Sequence, residues 1–133
     1  MSQTDGAAWT CLAQEALRTS SVVWLTLPGC LQPRIAWHVW HDGAAYVVHE
    51  GTEQSLPGLV QLRQVEFAVR SKDTGALLVR GTASAHTLAP SDPRWVEAAA
   101  AVHAHRQSPP DGAQQPARWA SQSTLTVLVP LLP

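Results

Sequence analysis

Six histidines and two cysteines are the residues of this 133-residue chain best suited to chemistry. A zinc ion needs three or four converging ligands, and the spacing opposes that. His38 and His41 lie three apart in a stretch of strand character, so they point to opposite faces. His103 and His105 are two apart in a helical stretch, about 200° around its axis. His38 and His49 become diagonal neighbours on one face if their strands pair, roughly 7–8 Å apart. Two ligands are too few, and no metal site is expected. Cys11 and Cys30 cannot build a disulfide framework and read as reduced thiols of a cytoplasmic chain. Cys30 sits in a Pro-Gly-Cys loop with no His or Asp at a spacing that marks a nucleophile. The chain carries no Gly-x-Ser-x-Gly elbow, P-loop or dinucleotide fingerprint.

Composition narrows the classes further. Hydrophobic residues make up 45%, which excludes a disordered chain. Charged residues are only 14%, against an ordinary ~25%, so much of the surface is expected to be covered by a second subunit. A net charge of -1 without a basic block argues against nucleic acid and anionic membranes as partners. The apolar runs fall far short of the ~20 residues that span a bilayer, and Met1–Asp5 lacks the basic and apolar regions of a signal peptide. Six of the eight aromatics are Trp.

The elements that must position these residues follow from periodicity. Trp9, Leu12, Ala13, Ala16 and Leu17 recur at helical spacing over residues 6–19. Val22–Leu27, Arg34–His41, Ala44–His49, Val65–Arg70, Leu77–His86 and Thr124–Val129 read as strands. Asp92-Pro93 starts a second helix, with Trp95, Val96, Ala99 and Val102 on one side, running to about Arg106. Residues 1–20 are a leading helix, 107–119 a loop, and 120–133 the last strand and tail of a single domain, 1–133. Hairpin connections dominate, so the fold class is mainly β with flanking helices: a six-stranded antiparallel barrel, which leaves few edges exposed.

Asp42-Gly43 between two apolar runs is a strong two-residue hairpin signal. Opposite residues then sum to 85, pairing His41 with Ala44 and Ala36 with His49. One face carries Ile35, Trp37, Val39, Tyr46 and Val48, and is expected to join Val65, Phe67, Val69 and Val79 in the barrel core. The other carries Arg34, Ala36, His38, Trp40, Val47 and His49. That mixture suits a covered outer surface, either a subunit interface or a ligand cleft.

The order of elements resembles the pyridoxamine 5'-phosphate oxidase-like family, the flavin-binding split barrels. The residues that carry the likeness are Leu27-Pro28-Gly29, Pro33-Arg34-Ile35, the Asp42-Gly43 hairpin, Ala45-Tyr46-Val47-Val48, the loop Gly51-Thr52-Glu53-Gln54, Arg80-Gly81-Thr82-Ala83 and Asp92-Pro93. They cover roughly residues 7–106. The resemblance implies a six-stranded split barrel, a two-fold homodimer, and FMN or the deazaflavin F420 in a groove between subunits along the first hairpin. It implies cofactor contacts from Arg34, Ala36, His38, Val47, His49, Thr52 and Gln54, with Arg34 and the Thr52 hydroxyl at the phosphate. Glu53 and Gln54 stand where the family has Arg and Lys, so Glu53→Arg with Gln54→Lys is expected to strengthen FMN binding.

The functional expectation is a flavin- or F420-binding protein acting as an oxidoreductase on a small molecule. Flavin chemistry resides in the cofactor, so no catalytic residue is assigned. Two alternatives stand beside it. One is a non-catalytic split barrel holding a ligand such as haem through His38 or His49. The other is a structural dimer without a cofactor.

Overall fold

Alternating apolar residues and tight turns produce one antiparallel sheet of seven strands. The structure, a computed structural model, describes residues 3–105 and 112–132. The strands are β1 (Val22–Thr26), β2 (Arg34–Trp37), β3 (Val39–His41), β4 (Ala44–His49), β5 (Gln64–Arg70), β6 (Leu77–Leu88) and β7 (Thr124–Pro130). They form one sheet in the order β2-β1-β5-β6-β7-β4-β3. The two ends of that order are consecutive in the chain and meet through His38, so the sheet curls into a nearly closed barrel. Three helices flank it: α1 (Gln3–Thr19), α2 (Pro93–His105) and α3 (Gln115–Gln122).

The Asp42-Gly43 turn forms with both residues at positive φ, and the register is the expected one, Val39 opposite Tyr46 and His41 opposite Ala44. The strand expected over 34–41 is broken, however. Beyond His38 the chain leaves β4 and pairs with β1 instead, with Trp24 opposite Ile35 and Val23 opposite Ala36. This is why six expected strands become seven. The segment expected as a loop over 107–119 holds the start of α3, with Pro116 in its first turn. Residues 106–111, which include the expected helix end at Arg106, lie outside the described residues.

Two apolar clusters share the sheet. Inside the barrel, Val65, Phe67, Val69 and Val79 pack with Leu25, Ala36, Val47 and Leu128. Burying each Val or Leu contributes roughly 1.5–3 kcal/mol. Helix α1 closes on this cluster through Ala13, Ala16 and Leu17, and Trp9 meets Phe67 edge-on with ring centroids 6.4 Å apart. Gly81 leaves room for that indole, because a Cβ there would overlap the Trp9 ring. The second cluster lies outside the barrel, where α2 and α3 cover β3, β4 and β7 with Trp95, Val102 and Trp119. Val96 faces outward, and Ala98 takes its expected place in the packing.

The expected faces of the first hairpin are therefore exchanged. Ala36, His38, Val47 and His49 are buried, and the outward cleft face foreseen for them does not exist. Val39 and Val48 are core, but of the cluster beneath the helices, with Tyr46 and Trp37 packed beside them. Ile35 is 53% exposed and belongs to no core. Alternation predicts which residues share a face; which face the helices cover is a tertiary matter.

Candidate functional site

The loop after β4 is the most polar, tightly held part of the chain. Glu50 and Gly51 both adopt positive φ, +67° and +65°. For a non-glycine residue that is strained backbone, and it persists only where the surroundings enforce it. Here they do. The Glu50 carboxylate turns back on its neighbour, accepting from His49 Nδ1 at 2.9 Å and from the Leu56 amide at 2.7 Å. Its carbonyl accepts the Ser123 hydroxyl at 3.1 Å, and Gly51 rests against the end of α3, where a Cβ would overlap the Gln122 carbonyl.

Because Nδ1 of His49 donates to Glu50, Nε2 is the acceptor, and Thr126 Oγ1 donates to it at 2.9 Å. Thr126 in turn bonds Thr87 Oγ1 at 3.1 Å. Burial pushes His49 below the usual histidine range, which the Glu50 carboxylate only partly offsets. Glu50 is pushed up by burial, but the Leu56 amide, His49 and the nearby Arg34 outweigh that and hold it below its ordinary value. A carboxylate, an imidazole and a hydroxyl in a row is the geometry of an activated nucleophile. Here the hydroxyl and the ring are both buried, so no substrate reaches them and the row is a structural tie across the barrel.

Of the seven residues expected to contact a cofactor, the structure keeps two on an accessible surface. Arg34 is exposed at the start of β2, and Thr52 is exposed in the loop. Ala36 and Val47 are inside the barrel. His38 is buried, with Nε2 donating to the Leu17 carbonyl at 2.8 Å, and burial lowers its pKa. Gln54 is committed to the backbone. Its Oε1 accepts the Trp37 amide at 2.9 Å, and its Nε2 donates to the Trp37 and Val48 carbonyls at 2.9 and 3.0 Å.

Arg118 on α3 went unnoticed in the sequence, since a lone arginine 66 residues from Thr52 carries no signal. Its Nη1 hydrogen-bonds Thr52 Oγ1 and pairs with Glu53 Oε2 at 3.1 Å. The Glu53 side chain is 4% exposed, so this pair is largely out of water. Among the described residues of the loop and α3, the cation Arg118 is engaged by Thr52 and Glu53 and the loop's own residues do not fit a phosphoryl group; exposed Arg34 lies outside the loop, near Glu50.

The uncovered half of the barrel wall is different. Pairing aligns Ile35, Trp24, Ala68 and Arg80 in one row on the outer face of β2, β1, β5 and β6. A groove of about 380 Å³ runs along it, lined by Trp24, Pro33, Ala68, Leu77 and Arg80 among others. Trp24 supplies a partly exposed ring, Arg70 and Arg80 positive charge and Glu66 a negative one.

Comparison with solved structures was decisive for the fold. The structure superposes on HutZ, a heme storage protein from Vibrio cholerae, with a TM-score of 0.60 at 12% identity over 94% of this chain and 92% of that one. An FAD-binding protein from Mesorhizobium loti gives 0.57 at 11% identity over 98% and 88%. A candidate pyridoxamine 5'-phosphate oxidase from Corynebacterium glutamicum gives 0.52 at 16% identity over 89% and 80%. The chain has the pyridoxamine 5'-phosphate oxidase-like split-barrel fold. No family model and no curated protein sequence matches it. At such identities the likeness is one of fold, and a fold of itself carries no function. No described helix is long and apolar enough to cross a membrane.

Proposed function

We propose that this split barrel is a cytoplasmic homodimer that binds a flavin or deazaflavin, FMN or F420, and acts as an oxidoreductase on a small molecule. The observation that supports this is the row Ile35, Trp24, Ala68 and Arg80, exposed or half-exposed on the outer barrel wall with an indole at its centre. A planar ring system suits such a strip, and a second copy would cover what remains exposed. When bound, such a cofactor supplies hydride or electron transfer. The protein's part is to seat the ring and exclude water, with Arg80 offering charge to its anionic tail. Thr52 and Gln54 take no part, being held by Arg118 and by Trp37 and Val48.

A haem bound through His38 or His49 is the weaker reading. Both nitrogens of His49 are hydrogen-bonded, and His38 is 4% exposed with Nε2 held by the Leu17 carbonyl. The test is the visible spectrum of the purified protein, followed by titration with FMN, F420 and haem. We expect FMN or F420 to bind in the micromolar range or weaker, roughly -8 kcal/mol or less favourable, with loss on Arg80→Ala. Binding of haem alone, or of no cofactor, would overturn the proposal. Sedimentation should give twice the 14.3 kDa chain mass; a monomer at micromolar concentration would remove the dimer.

A further inference from the structure

A second groove, away from the loop after β4, lies where the end of α1 meets β1 and the β5–β6 turn; it adjoins the cofactor strip and shares Trp24 and Arg70 with it, but not Arg80. Its volume is about 740 Å³. One wall is apolar and aromatic: Val22, Trp24 and Leu78, two of which are unusually exposed for their size. Beside it stand Arg70 and Lys72. No carboxylate lines the groove, so two positive charges stand there without an acidic partner.

The donors are largely unspent. Arg70 uses Nη1 on the Gly75 carbonyl at 3.1 Å, and its guanidinium lies 6.0 Å from the centre of the Trp24 ring. Nε and Nη2 make no hydrogen bond among the described residues. Lys72 has no ion pair or hydrogen bond among them either. The Ser71 hydroxyl oxygen accepts from the Asp73 and Thr74 amides, which leaves its proton to give. Ser21 accepts the His38 amide through its carbonyl, and its hydroxyl makes no bond among the described residues. Asp73 sits in the same turn but is not part of the lining.

Paired donors of a guanidinium match the two oxygens of a carboxylate, and an ammonium beside them adds charge. The aromatic wall next to them matches a flat apolar body. We infer that this groove binds a small monoanionic carboxylate with an aromatic or flat apolar body, its carboxylate on Arg70 and Lys72 and its body against Trp24. The residues are the protein's own and need no cofactor.

The test is titration of the full chain with 2-naphthoate, read as the Trp24 fluorescence change, taken as the difference between the native chain and Trp24→Phe. The neutral isostere 2-naphthamide is titrated in parallel. The expected result is saturable quenching by naphthoate and at least tenfold weaker binding of naphthamide. Arg70→Gln with Lys72→Gln, both at exposed positions, should weaken naphthoate at least tenfold, since two charge-assisted contacts are lost, without moving the thermal midpoint. Arg80→Gln should leave it unchanged, since Arg80 lines the cofactor strip and not this groove; a loss there would place naphthoate on the strip instead and overturn the inference. Absence of naphthoate binding, equal binding of the amide, or an unchanged constant in the double variant would overturn the inference.

Discussion

The carboxamide of Gln54 stands in for a β-strand beside Trp37. It accepts the Trp37 amide through Oε1 and donates to the Trp37 carbonyl through Nε2, both at 2.9 Å, while also reaching Val48. Where β2 parts from β4 the ladder would otherwise lose these bonds, and one side chain restores them. Gln54→Ala should therefore cost about 2–4 kcal/mol, from three lost hydrogen bonds. Urea denaturation measures it. The same contact reverses the expectation that Glu53→Arg with Gln54→Lys improves FMN binding: the pair should destabilise the fold, since neither replacement can keep its neighbour's bonds.

Arg118 and Glu53 form the second tie of this loop. Removing the cation alone leaves a carboxylate almost out of water, so Arg118→Ala is expected to cost about 3–5 kcal/mol. Arg118→Ala combined with Glu53→Gln should cost less than Arg118→Ala alone, because no charge is stranded. Chemical denaturation of the two variants compares them directly.

The exchange of faces is testable at two positions. Phe67→Ala empties the barrel interior and should cost about 3–5 kcal/mol. Ile35→Ala removes a half-exposed side chain and should cost under about 1 kcal/mol. Gly81→Ala should displace Trp9 and loosen α1, and Trp9→Leu in the same chain should restore much of the loss by making room. Thermal melts read all of these.

His38 and His49 are both held below the ordinary histidine value by burial. The unfolded chain then binds protons that the folded chain refuses. Their contribution is complete above about 6.5, the unfolded value, and is lost as pH falls from there through the folded values. Urea midpoints should fall between pH 7 and pH 5, and His49→Gln should flatten that slope. A slope unchanged in His49→Gln would show that the ring does not resist protonation.

How much of this was legible in the sequence differs from element to element. The Asp42-Gly43 dipeptide specifies its own turn through positive φ, so the hairpin and its register could be read directly. Period-two alternation likewise marked Val65, Phe67, Val69 and Val79 as one face, because strand geometry is local. Alternation also grouped Ala36 with His38, and Ile35 with Trp37, but it carries no information on which group faces inward. That was decided by α2 and α3 packing over β3, β4 and β7, a choice made between segments distant in the chain. The break at His38 belongs to the same level, since it depends on β1 competing with β4 for the strand that follows Pro33. So does the fate of the loop after β4. Its composition announced a polar site, but whether Glu53 and Gln54 were free for a ligand rested on Arg118 and the Trp37 backbone, which only the folded chain brings within hydrogen-bond reach.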